Sequence, residues 1–268
     1  MKTPASYISK IFFYTCVFIS CAPLLLLLVL TVSVFWPYPQ LFPERVSLDY
    51  YRLVFGNTHT VRAITTTMSL GLLVSLLSLA IAIPAAKALA LYNFYGKRFV
   101  KVLVLVPLVV PGIAVVVGTH LSMIRLGLTG TFLGVTLIHT VFALPYAIRI
   151  MTNVFEIVGQ DLEQQATVLG AGKLLIFMRI TLPRLMPGIL AAGILGFTVS
   201  ISQFITTFMI GGGRIITVTM LLVPHIRGGE TQITAVYSVL LLAAALLSLV
   251  LTEAVVRRYY NFRSVYNI

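Results

Sequence analysis

At 268 residues, 59% of them hydrophobic and only 10% charged, with a mean hydropathy of +1.03, the chain is too apolar for a soluble domain and is expected to sit in lipid. Its net charge of +12 is spread in short groups beside apolar runs rather than gathered in one stripe with interleaved aromatics, which argues against a nucleic-acid partner. Cys16 and Cys21 lie in one apolar run and point to different helix faces, so they offer neither a disulfide nor a metal site.

Lys2 and Lys10 precede an apolar run over residues 11–36, which is longer than a signal-peptide core and reads as an uncleaved first span. Pro37, Pro39 and Pro43 stop it, and Ser47, Leu48, Tyr50 and Tyr51 suggest a short element at the membrane surface, outside the cytoplasm. A second span over about residues 61–89 opens with Thr65, Thr66 and Thr67, and Lys87 near its end is expected to extend its ammonium to the interface. After a basic turn with Lys97, Arg98 and Lys101, a third span over about residues 102–124 carries Pro107 and Pro111 near its start, which predicts a kink facing protein. Gly127, Thr129 and Gly130 form a tight turn into a fourth span, about residues 131–151, with His139 and Pro145 inside it.

Residues 162–183, LEQQATVLGAGKLLIFMRITLP, are a polar, glycine-broken interruption with helical character. Asp161 is expected to cap a helix with Gln164 three residues on, while Leu162, Ala166 and Leu169 recur on one face. Gly170 ends that helix, and Leu175, Met178 and Leu182 form a second stripe that Pro183 is expected to close, giving two short amphipathic helices at a bend. A fifth span over about residues 188–210 is broken by Gly211, Gly212 and Gly213, and a last span covers about residues 233–256, where Glu253 can pair with Arg257. The expected fold is an all-α membrane protein with six transmembrane helices and a cytoplasmic loop between spans four and five. Residues 1–60 supply the first helix and an extracytoplasmic segment, 61–256 a five-helix core, and 257–268 a tail.

With these spans, Lys2, Lys10, Lys87, Lys97, Arg98, Lys101, Arg149, Lys173, Arg179, Arg184, Arg257, Arg258 and Arg263 share one side, against Arg45, Arg52, Arg62, Arg125, Arg214 and Arg227, that is 13 of the 19 basic residues against 6. The positive-inside rule then puts both termini and the Gly170 loop in the cytoplasm. No phosphate-binding glycine loop, zinc motif or nucleophile elbow is present, and no Asp or Glu lies in the interior of a span. Catalytic residues and metal ligands are therefore not expected, and energy for uphill transport would have to come from elsewhere.

The loop resembles that of permease subunits in binding-protein-dependent ABC importers, with the MetI-like type I fold, whose pattern is Glu-Ala-Ala, three residues, Gly, nine residues, Ile-x-Leu-Pro. Here Gln164, Gln165 and Ala166 stand at the opening positions, Gly170 at the glycine, and Ile180, Leu182 and Pro183 at the close. Gln164 and Gln165 depart from the pattern, while Glu163 puts a carboxylate one position earlier. The sequence around Pro107 and Pro111 also looks like this family. The resemblance implies that Leu162, Glu163, Gln164, Gln165, Ala166, Leu169, Gly170, Ile180, Leu182 and Pro183 couple to a cytoplasmic ATPase dimer, in which ATP and Mg act. It further implies a second permease subunit, a related chain rather than an identical one, and an extracytoplasmic solute-binding protein, in a bacterial inner membrane. This chain itself would bind no cofactor.

For the solute pathway, Gly196, Ser200, Gln203 and Thr207 have helical spacing, with Ser202 and Thr206 beside them. The competing reading is back-bonding of Ser and Thr to their own helix and close packing at glycine. Gln203 is the strongest of these, because its amide needs partners in a dry environment. His139 is a further candidate, and His120 and His225 lie toward the outer surface. The subgroup most resembled is the spermidine/putrescine type, implying a polyamine or similar small solute, although no acid lies near Gln203 and a neutral or anionic solute stays open. The alternatives are an ion-coupled secondary transporter and a non-transporting membrane assembly subunit.

Overall fold

The computed structural model describes residues 4–36, 39–40 and 42–265, with side chains for 10–34, 36, 39–40 and 42–254. The stop expected at Pro37 and the Glu253–Arg257 pair fall outside that set. The helices are α1 (Pro4–Val32), α2 (Asp49–Gly56), α3 (Thr58–Leu91), α4 (Lys97–Val109), α5 (Gly112–Arg125), α6 (Phe132–Val158), α7 (Asp161–Val168), α8 (Lys173–Ile176), α9 (Leu182–Ile201), α10 (Phe204–Gly211), α11 (Val218–Arg227) and α12 (Thr231–Val265). A two-stranded antiparallel ribbon, β1 (Ser33–Phe35) and β2 (Arg45–Val46), follows α1. Among the described residues five helices are long and apolar enough to cross a membrane, and six if the bent pair α4 and α5 is one span. The expected all-α, multi-span architecture is therefore the observed one.

Two compact units are distinguishable, Met1–Val61 with Leu221–Leu242, and Arg62–Met220 with Ala243–Ile268. In the first, the short element expected near Tyr50 is α2, and the Tyr50 hydroxyl donates to the Val34 carbonyl at 3.3 Å. The Thr60 and Tyr237 hydroxyls meet at 2.9 Å.

The second unit carries the core. One buried cluster joins Ala82, Ala86 and Leu89 of α3, Ala147, Met151 and Phe155 of α6, and Leu185 and Ala192 of α9. Another joins Leu70 and Val74 of α3, Val116 of α5, Val135, Ile138 and Phe142 of α6, and Ile210 of α10. With lipid as apolar as the side chains, close backbone approach drives such packing. Small residues provide it: the Ser75 hydroxyl donates to the Gly193 carbonyl at 2.9 Å, and a methyl group on Gly188 would lie 2.6 Å from Val154 Cγ2.

Three breaks differ from the sequence-based spans. The expected kink near Pro107 and Pro111 is a full break, with α4 and α5 at 101°, because Val110 is extended and Pro111 starts a new helix. Pro183 does not close a helix; it lies in the first turn of α9, and residues 173–201 form one candidate span. A π-turn over Phe177–Thr181, in which the Leu182 N–H reaches the Phe177 carbonyl, lets the chain run through into Pro183. The fifth span consequently starts about fifteen residues earlier than residue 188 and ends at Ile201, where Ser202 and the extended Gln203 interrupt it before α10.

Val154 is β-branched and stiff at χ1, so it cannot swing away from a new methyl group. Gly188→Ala should destabilise the protein by about 1–3 kcal/mol, read as a lower midpoint in thermal unfolding in detergent, and Val154→Ala in the same chain should restore most of it.

Candidate functional site

The Gly170 loop is built from α7, a turn, α8 and the π-turn. Asp161 does not cap α7: Gln160 is the N-cap residue, without a side-chain cap, and Asp161 with Glu163 lies in the first turn, where their charge favours the helix N-terminus. Gly170 ends the helix as expected. Its φ is +81°, and the N–H groups of Gly170 and Ala171 donate to the Thr167 and Ala166 carbonyls at 3.0 Å each. That pairing needs a left-handed residue after the helix, which glycine adopts without strain. Nothing lies within 4 Å of where a Gly170 Cβ would be, so conformation, not space, requires the glycine.

Glu163 is the pivot. The Lys87 ammonium of α3 donates to both of its carboxylate oxygens at 3.1 and 2.8 Å, and the Thr181 hydroxyl of the π-turn donates to Oε1 at 2.5 Å. One carboxylate thus ties α7 to the end of α3 and to the entry of α9. Gln160 adds a second tie, its amide donating to the Leu91 carbonyl at 3.3 Å. Partial burial by itself raises the Glu163 pKa, but the hydrogen bonds from Lys87 and Thr181 and the Lys87 charge outweigh it, and the pKa lies below the ordinary value. Lys87 is thus paired inside the protein instead of extending to the interface. The carboxylate, Lys87, Thr181 and Lys173 line a cavity of about 310 Å³.

The remaining loop residues divide by face. Ile180 and Leu182 are half-buried, Pro183 is buried and Ala166 is half-buried, so these four pack inward. Gln164 and Gln165 are exposed, as are Leu162, Val168 and Leu169, the last two at 87%. Asp161, Gln164, Gln165, Val168 and Leu169 line a shallow depression. Glu163 points away from that face, so it cannot supply there the acid that Gln164 lacks.

The pathway candidates do not form one helix face, because the chain breaks at Ser202 and Gln203. Ser200 lies in the last turn of α9 and Thr207 on α10, yet His139 of α6 reaches both. Its Nδ1 lies 3.0 Å from Ser200 Oγ and its Nε2 3.1 Å from Thr207 Oγ1. The Thr207 hydroxyl already donates to the Gln203 carbonyl at 2.7 Å, so it accepts from Nε2–H, and Nδ1 accepts from Ser200. His139, Ser200 and Thr207 are each buried, at 0, 2 and 0% exposure. They form a satisfied internal network that bridges the helix break. Ser202 is exposed and donates to its own helix at Val199, and Gln203 is half-buried, its side-chain oxygen accepting from Thr206 at 3.0 Å.

The sequence profile of the family described as binding-protein-dependent transport system inner membrane component matches residues 78–260, which contain the loop, its Lys87 anchor and the broken fifth span. The chain belongs to this family. It is 32% identical over 216 residues to the molybdenum transport system permease protein ModB of Haemophilus influenzae, covering 74% of this chain and 94% of that one. It is also 32% identical to the osmoprotective compounds uptake permease protein GgtD of Synechocystis, over 62% of this chain and 55% of that one. The trehalose transport system permease protein SugB of Mycobacterium tuberculosis is 30% identical over 59% of this chain and 58% of its own. A solved bacterial ABC transporter involved in import of the acidic polysaccharide alginate shares the fold, with a TM-score of 0.72 at 16% identity over 97% of this chain and 99% of that one. The protein is thus a multi-pass inner-membrane permease component of an ABC importer, whose partners include an ATPase that hydrolyses ATP and a binding protein.

Lys87, Thr181 and Gln160 are site residues that spacing alone did not single out. A lysine in the last turns of an apolar span, with an acid in a later loop expected on the same side of the membrane, was the available signal. Lys87→Met should strand the carboxylate and lower stability by about 1–2 kcal/mol, less than for a fully buried pair. Lys87→Met with Glu163→Gln should recover part of that loss. Because the folded pKa of Glu163 is lowered, the contribution is fully present above the ordinary carboxylate pKa of about 4 and fades as pH falls through the folded value. The difference in unfolding midpoint between wild type and Lys87→Met should therefore shrink in acid.

Proposed function

We propose that this permease takes its driving force through the exposed face of α7 and carries a small solute without net positive charge, an oxyanion of the molybdate type in the first instance. The observation that supports the first part is the three-way tie at Glu163. A helix presented outward by a glycine turn, and anchored inward to two spans, is suited to pass on the movement of a docked subunit. Leu162, Gln164, Gln165, Val168 and Leu169 form the docking face, with Asp161 the acid beside them. ATP and Mg act in the cytoplasmic ATPase dimer, and this chain binds no cofactor. By the charge asymmetry of its loops, the Gly170 turn and both termini are cytoplasmic. Closure of the ATPase would tilt α3 and α9 with α7 and switch the pathway between inward and outward access.

The solute reading rests on charge. No residue from 164 to 229 is Asp or Glu, so the broken fifth span and the segment after it offer a cation no counter-charge, whereas Gln203 at the break presents amide N–H donors and Ser202 a hydroxyl whose proton is already given to Val199. Ser202 and Gln203 line the pathway or the interface with a second, related permease chain, and His139, Ser200 and Thr207 hold the break in shape. A polyamine, the solute of the subgroup the sequence resembles, would need the acid that this stretch lacks. Of the relatives described above, the one with the longest shared length is named for molybdenum transport.

In proteoliposomes containing the permease, its ATPase and its binding protein, ATP-dependent uptake of molybdate or another small oxyanion is expected, and uptake of spermidine in its place would overturn the solute reading. For the docking face, Gly170→Val must adopt a left-handed backbone at a cost of about 1–2 kcal/mol and should abolish ATPase co-purification. Gly170→Asn, which tolerates that conformation, should retain it.

A further inference from the structure

A second feature lies at the same end of the second unit, outside the loop and the broken fifth span. The last turns of α3, the first half of α4 and the last turns of α6 enclose a cleft of about 230 Å³, with Lys101 and Val104 on one wall and Arg149, Thr152, Asn153 and Glu156 on the other. Lys101 also borders a shallower hollow that holds Tyr95, Lys97 and Arg98. Lys101 and Arg149 thus share the cleft with Glu156, and Lys101 shares the neighbouring hollow with Lys97 and Arg98. The charges are largely uncommitted. Lys101 is 3.9 Å from Glu156, with both side chains about half exposed, a pairing of little strength. Lys97 donates to the Tyr92 carbonyl at 2.8 Å. Arg98 and Arg149 make no hydrogen bond or ion pair among the described residues.

The surroundings are those of a membrane boundary. Tyr92, Phe94, Tyr95 and Phe99 are exposed, Tyr95 completely, in the manner of the aromatic belts at lipid–water interfaces. One turn further along α4, Val102, Leu103 and Val106 are exposed at 64, 55 and 43%. Forked guanidiniums at headgroup depth, with an apolar wall running away from them, match a phosphate joined to acyl chains. A free anion would use only the first feature.

We propose that Arg98, Lys101 and Arg149 form a binding site for the headgroup of an anionic phospholipid, whose acyl chains lie along the exposed face of α4. The site connects α4 to α6, next to the break between α4 and α5, so an occupied site would hold α4 against α6.

The test titrates phosphatidylglycerol into the delipidated permease–ATPase complex and follows the bound lipid by native mass spectrometry. Each removed charge should weaken binding about fivefold, so Arg98→Gln with Arg149→Gln should raise the dissociation constant by about twenty-five-fold. Arg184→Gln, an exposed charge on the same side of the chain but outside the cleft, should leave it unchanged. Arg98→Lys with Arg149→Lys keeps the charge and should retain most of the affinity, which separates lost binding from misfolding. Equal affinity in the double Gln variant, or an equal loss in Arg184→Gln, would overturn the proposal. So would displacement of the lipid by millimolar inorganic phosphate, or an equal preference for phosphatidylcholine.

Discussion

A single carboxylate sets the geometry of the Gly170 loop. Glu163 accepts from Lys87 on one side and from Thr181 on the other, and these residues belong to the end of one long helix and the beginning of another. Without that contact α7 would be an eight-residue helix with no buried residue of its own, too short to persist by propensity. The ion pair is only part-buried, with 31 and 23% of the two side chains exposed. Its desolvation cost is therefore moderate, and the charge-assisted hydrogen bond from Thr181 helps to offset it. The loop owes its fixed position to this cluster, and the glycine turn then determines which side chains look outward.

The breaks in the spans serve the same arrangement. An uninterrupted α-helix cannot accept Pro183 without losing a backbone hydrogen bond, and the wider π-turn before it absorbs the misfit just where Thr181 must point at Glu163. At the other end of the same span the chain breaks at Ser202 and Gln203, freeing backbone groups that lipid could not satisfy. His139 bridges the break through side chains, with Thr207 Oγ1 and Ser200 Oγ as one partner on each side of it. The fifth span is thus fixed at one end by an ionic contact and at the other by the His139 imidazole, while Gly188 and Gly193 let its middle approach α6 and α3 closely.

Much of this was legible from residue order. Hydropathy located the long helices, Pro107 and Pro111 marked a kink that the structure turns into a full break, and Gly170 marked a helix end, because each is a local property of the backbone. What could not be read is non-local. Lys87 and Glu163 are 76 residues apart, and nothing in the run around Lys87 distinguishes a lysine extending to the headgroups from one turned toward a partner. Helical spacing through Gly196, Ser200, Gln203 and Thr207 implied one continuous face, yet the extended backbone at Gln203 splits it. Pro183 was read as a terminator because periodicity cannot show a π-turn, which changes the hydrogen-bond register without changing the residues. The Gln164 and Gln165 departure takes on a different meaning in three dimensions, since both lie on the outward face and Glu163 does not.

The central claim is that α7 moves as one body with α3 and α9 because Glu163 ties it to both. Spin labels at Val168 and Tyr92, both exposed, in a background with Cys16 and Cys21 replaced, report the distance between α7 and the end of α3 in the permease–ATPase complex. That distance should be the same with and without ATP, and should broaden only when Lys87 is replaced by Met. A shift of about 5 Å, one helical turn, on adding ATP to the wild-type complex would contradict the account.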